Sequence, residues 1–178
     1  MPTCFDVAHF YLSKAKPDDG DFMTNMRLQK LAYYAQGLSL AILGCPLFEE
    51  EFEAWDLGPV IPELWKTYRH FGALPIPQES EEVARSRFSL EQLQVLNLVY
   101  QEYGQYSGWK LSKMTHSEPP WLTTPKNNRI DKDTLKAFFS EVVAGLRERG
   151  AEEAERRLES DAKRVPFEEV WAHVARRI

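Results

Sequence analysis

Between Thr24 and Gly44 the chain carries Leu28, Leu31, Ala32, Ala35, Leu38 and Ile42 at helical spacing. Residues three and four apart share one face of a 3.6-residue helix, so the stretch reads as a helix with an apolar stripe. Thr24 is placed to cap its first turn through the side-chain oxygen. Gly44 ends it, and Pro46 prevents it from resuming. A stripe of this length must be covered by other elements, which directs the chain towards helix-on-helix packing.

The rest of the sequence supplies those elements. Asp6 is expected to cap a first short helix running to about Lys14, with Val7, Phe10 and Tyr11 inward. A third helix places Ile61, Leu64, Trp65, Tyr68 and Phe71 on one side and stops at Gly72. A fourth starts at a capping box of Ser89 and Gln92, with Phe88 and Leu93 as the staple and Leu93, Leu96, Tyr100 and Tyr103 as its buried stripe. Ser107 starts a fifth. Pro119-Pro120 is expected to force a loop to about Asn128. Asp131 then caps a sixth helix bearing Leu135, Phe138, Phe139, Val142, Val143 and Leu146, which Gly150 is expected to end. A charged helix to about Lys163 and a last one from Pro166 to Ile178 would follow.

One segment breaks the helical pattern. From Phe48 to Trp55, Phe52 and Ala54 alternate with Glu51, Glu53 and Trp55, which predicts a half-exposed strand ended by Gly58-Pro59. The expected fold is therefore mainly α, a compact helical domain over residues 1–148 with a small antiparallel β element, followed by a helical C-terminal extension over 149–178. The expected core joins Leu28, Leu31, Ala35, Leu64, Tyr68, Leu93, Leu96, Phe138 and Val142.

Composition narrows the function classes. The 178 residues are 43% hydrophobic and 28% charged, a globular mixture. A net charge of −5 argues against non-specific nucleic-acid binding, which needs clustered Lys and Arg. Cys4 and Cys45 are too few for a disulfide framework and read as reduced, buried or half-buried thiols. No stretch approaches the roughly 18 apolar residues of a membrane span, and no signal peptide is evident. A cytoplasmic protein is the expectation.

No enzyme motif emerges. The serines lack a nucleophile-elbow setting, and the glycines are isolated rather than clustered into a phosphate loop. His116 and Glu118, two apart, could suggest a metal or acid–base pair, but further ligands are not visible nearby. His116 reads more simply as bonded to backbone at a helix end. Glu49, Glu50, Glu51 and Glu53 form an acidic stretch that reads as a solvated strand face or as a lure for a basic partner. Trp55-Asp56-Leu57-Gly58-Pro59-Val60 is more specific, an aromatic corner stiffened by a Gly-Pro turn, and Trp is a favoured interface anchor. Trp55 packed on the third helix is the plainer alternative.

Three blocks together resemble a known family. They are Thr24 to Gly37, containing Leu28, Gln29, Lys30 and Tyr33; Pro46 to Phe48 with Phe52 to Trp65; and Leu111 to Trp121, containing Thr115, His116, Glu118 and Pro120. In this order, over roughly residues 5–140, they resemble the Panacea domain of SocA-like and GepA-like proteins. The resemblance implies an antitoxin that neutralises a cognate protein toxin by direct binding, without catalytic residues, metal or cofactor. It also admits an adaptor that delivers a toxin to the ClpXP protease, or a phage-associated accessory protein without a toxin. Trp55, Asp56, Gly58, Pro59, Glu49, Glu51 and Glu53 are the expected partner-binding residues.

Overall fold

The computed structural model describes residues 1–78, 80 and 84–164. The helix expected from Pro166 to Ile178 lies outside them. The chain divides into two compact units, Met1–Glu141 and Val142–Ile178. The mainly helical fold with one small antiparallel sheet is as the sequence predicts.

In the first unit the elements run α1 (Cys4–Lys14), α2 (Asn25–Ile42), β1 (Glu53–Trp55), β2 (Gly58–Val60), α3 (Pro62–Tyr68), α4 (Leu90–Tyr103), α5 (Gly108–Thr115), α6 (Pro119–Leu122) and the start of α7 (Lys132–Arg164). Short 3-10 turns occupy Pro17–Asp19 and Arg69–Phe71. Among the described residues, no helix is long and apolar enough to cross a membrane.

Several starts follow the sequence. Thr24, Ser89, Ser107 and Asp131 each accept a hydrogen bond from the backbone N–H three residues on. The α1 cap is different from the expectation. Thr3 is the N-cap, and Asp6 is its reciprocal partner at the third helical position, so the two close a capping box.

The central helix is not amphipathic. Asn25 and every residue from Arg27 to Leu40 are buried, because α1, α3, α4, α5 and β2 all pack around α2. Its polar side chains must then find partners inside. Gln36 Oε1 accepts from the amides of Leu47 and Phe48, and its Nε2 donates to Phe48 O. Arg27 donates to Asp21 at 2.5 Å, to Phe22 O at 2.7 Å and to Gly104 O. Gly37 lies so close to Phe139 that a Cβ would collide with the ring.

Other expectations are corrected. On α4 the buried residues are Val95, Leu96 and Val99, while Leu93, Tyr100 and Tyr103 are half-buried; the buried face shares Leu96 with the expected stripe but turns from the tyrosines towards Val95 and Val99. Phe138 and Val142 are likewise half-buried, with Leu135 and Phe139 buried instead. Pro119-Pro120 begins α6 rather than a loop, since a first-turn proline removes only a donor that has no intrahelical acceptor. Gly150 does not end α7, which continues to Arg164; one glycine costs about 1 kcal/mol, and the Ala, Glu and Arg residues beyond it favour helix. Cys45 is exposed, whereas Cys4 is buried.

The β element is shorter than expected and differently closed. Of the stretch from Phe48 to Trp55 only Glu53–Trp55 is strand, and Gly58–Val60 is its partner strand rather than its end, with Glu53 opposite Val60 and Trp55 opposite Gly58. Phe52 and Ala54 are buried as their alternation requires. The other edge of β1 is covered by 127–130, where Asn127 N donates to Ala54 O, Ala54 N to Asn128 O and Ile130 N to Phe52 O.

Candidate functional site

The tip of the β1–β2 hairpin is held by side chains from the helical frame. Trp121 Nε1 donates to Trp55 O at 2.9 Å. His116 Nε2 meets Asp56 O at 2.9 Å, while its Nδ1 meets Ser112 O. Ser112 Oγ donates to Leu57 O at 2.8 Å, and Lys30 Nζ donates to Pro59 O at 2.8 Å. Four carbonyls of this short turn are thus fixed from α2, α5, α6 and the segment joining the last two. Gly58 completes the arrangement with φ of +98°, and an added Cβ would lie 2.5 Å from Thr115 Oγ1. Gln29 pins the following residue, accepting from Ile61 N at 2.8 Å.

Behind the turn lies a buried polar cluster. Tyr34 donates to Glu118 Oε1 at 2.8 Å and stacks on Tyr103 with ring centroids 3.8 Å apart. Glu118 Oε2 and the Tyr33 hydroxyl are both buried in this cluster, where the hydroxyl stabilises the carboxylate. Burial raises the Glu118 carboxyl, an effect opposed by the Tyr34 and Tyr33 hydroxyls and by the Lys30 charge. Burial likewise raises both tyrosines. It pulls the Lys30 amine down to about 7, with Glu118 acting against it.

In front of the turn a cavity of about 490 Å³ is lined by Trp55, Trp65, Met26, Leu57 and Val60, with Lys30 and Arg69 among its polar residues. The Trp55 and Trp65 rings meet edge-on at 5.2 Å, and the Arg69 guanidinium lies over Trp65. Trp55 Nε1 donates to Glu53 Oε2. A second concavity of about 400 Å³ gathers Glu49, Glu50, Glu51, Glu53 and Glu63 with Arg129. Two of these acids are already paired, Glu51 with Arg129 at 2.6 Å and Glu49 with Lys132 at 3.3 Å.

The structure therefore gathers Trp55, Asp56, Gly58 and Pro59 into one turn, and places Glu49, Glu51 and Glu53 at a separate cleft. Leu28 is a core residue and Pro120 is buried. Gln29, Lys30, Thr115, His116 and Trp121 surround the turn, whereas Tyr33 and Glu118 belong to the cluster behind it. His116 and Glu118 do not converge. One engages backbone carbonyls and the other a tyrosine. Among the described residues no group of three or more His, Cys, Asp or Glu is placed to hold a metal ion. Sequence reasoning missed Ser112, Tyr34, Trp65 and Arg69 as parts of the site. Of these only Tyr34 had a local signal, as a polar-tipped aromatic next to Tyr33 on the central helix, where Gln29, Tyr33 and Gln36 recur at helical spacing as a polar seam.

The family model described as antitoxin SocA-like, Panacea domain, matches residues 28–122, just over half of the chain and the segment that carries the whole hairpin frame. The chain belongs to this Panacea family. Antitoxin SocA of Caulobacter vibrioides is similar over 62 residues at 42% identity, which covers 35% of this chain and 32% of that protein. The chain thus spans about a third of the length of this curated relative. No solved structure matches the chain. Within the Panacea segment, the motif residues Lys30, His116 and Trp121 act on the backbone of the hairpin.

Proposed function

We propose that this protein is a cytoplasmic antitoxin that neutralises a cognate protein toxin by direct binding at the surface around Trp55–Val60. The observation that carries this reading is the capture of the Trp55, Asp56, Leu57 and Pro59 carbonyls by Trp121, His116, Ser112 and Lys30. A turn fixed in this way loses little conformational freedom on docking, which favours affinity. It presents an exposed Leu57 and the edge of the Trp55–Trp65 cavity to a partner. The acids at 49–53 contribute steering towards a basic face more than they contribute holding. Membership of an antitoxin family supports the same reading.

The test is co-expression with the neighbouring gene. Growth should be rescued by the native chain and lost with Trp55→Ala, provided circular dichroism shows the variant folded. A folded Trp55→Ala that rescues growth fully would exclude this surface. A neighbouring gene that is harmless alone would exclude the antitoxin reading.

A further inference from the structure

Lys30 is the anomaly of the central helix. Its side chain is only 1% exposed, yet it lines the cavity in front of the hairpin. Among the described residues its ammonium makes one hydrogen bond, to a neutral carbonyl, Pro59 O. An ammonium has three N–H donors, so a single carbonyl leaves it under-used. Among the described residues Lys30 forms no ion pair, and Glu118 reaches it only as a longer-range attraction. A buried charge without a close counter-charge is costly. The lowered basicity of the amine, down to about 7, expresses that cost.

The remaining lining defines what could complete it. Trp55, Trp65, Met26, Leu57 and Val60 offer apolar surface. The second cation, Arg69, lies over the Trp65 ring. The single carboxylate in the lining, Asp56, is engaged with Lys126 at 2.5 Å. The cavity therefore offers two cationic side chains and apolar walls, and the one carboxylate in its lining is already paired. This contrasts with the glutamate-lined cleft elsewhere on the same unit.

We propose that this cavity receives an acidic side chain of the partner protein, borne on an apolar segment, with its carboxylate on Lys30 and a neighbouring apolar side chain against Trp55 and Trp65. The proposal deepens the antitoxin reading and rests on it for the partner's identity. An internal Glu or Asp side chain is slim enough to reach a deep amine without drawing a backbone in after it. A carboxylate there supplies the missing counter-charge, and exclusion of water strengthens the pair. The acidic cleft and the cationic cavity then have different tasks. One attracts a basic surface at long range, and the other selects a single acidic anchor within it.

The experiment uses the full chain and leaves it unmutated, because Lys30 also holds Pro59 and its replacement can disturb folding. Random hexapeptides flanked by linkers at both ends are displayed on phage and selected on the immobilised protein. The expected result is enrichment of Glu or Asp beside a large apolar residue. A selected peptide, made with both termini capped, should shift the Trp55 and Trp65 indole N–H resonances. Changing its acid to the amide should weaken binding at least tenfold. An absence of binders, binders without an acid, an acid-to-amide change without effect, or binding that leaves both indoles unshifted would each overturn the proposal. A parallel display of peptides with free C-termini separates the sources of carboxylate. Enrichment there alone would assign the cavity to a chain end and overturn the side-chain anchor. None of these outcomes depends on toxicity of the neighbouring gene, so the anchor can fail while growth rescue stands, and the reverse.

Discussion

Gly58 and Lys30 meet at the hairpin, and each is constrained by the other. A Cβ on Gly58 would stand 3.0 Å from Lys30 Nζ and closer still to Thr115, at a φ that side chains rarely adopt. Gly58→Ala should therefore cost about 2–4 kcal/mol from strain and overpacking together; an unchanged denaturant midpoint would show the turn to be softer than this. Lys30 has a pH signature of opposite character. Its folded pKa, about 7, lies below the ordinary 10.5. Between those values the unfolded chain binds the extra proton, so this residue makes stability rise with pH above about 7. Thermal melts should show the native chain gaining on Lys30→Met between pH 7 and 9, and a constant difference would contradict the burial of a titrating amine. In the sequence Lys30 stands out only as a member of a motif, and Gly58 as half of a Gly-Pro turn. That Lys30 reaches a carbonyl 29 residues on, or that Gly58 faces Thr115, depends on which elements pack together, and local spacing does not encode that.

At the scale of elements, the starts of helices are legible because a cap is a local event. Thr24, Ser89, Ser107 and Asp131 each satisfy an amide three residues away. Stops and burial are less legible. Gly150 sits inside α7 because its neighbours outweigh it, and the extent of burial on α2 depends on the helices around it rather than on its own periodicity. The hairpin was visible as an alternation of Phe52 and Ala54, but its second strand was hidden behind Gly58-Pro59, residues that usually signal a break. The frame around that hairpin makes a further expectation concrete. Ser112→Ala and His116→Ala each remove one hold on the turn, and each should cost about 1 kcal/mol. Both should speed hydrogen exchange at the Leu57 and Gly58 amides while leaving the amides of α4 protected. Uniform acceleration across the unit would mean that these side chains support the whole fold rather than the turn.

For the whole molecule, the question is how much of the chain the function requires. Every residue assigned to the turn, the buried cluster and the cavity lies in the unit Met1–Glu141, and the family match ends at residue 122. The sequence boundary at 148/149 rested on Gly150 as a helix stop, and the continuous helix to Arg164 removes that argument without removing the functional one. The motif residues of the family, from Leu28 to Trp121, all precede residue 149 as well. A chain cut after Gly150 should therefore keep the side-chain resonances of Tyr33, Tyr34, Phe52 and Phe139 in place, since their mutual contacts are all retained. It should also rescue growth against the neighbouring gene product as fully as the native chain. Rescue lost from a truncated chain whose first unit stays folded would assign toxin contact to the extension rather than to the hairpin turn.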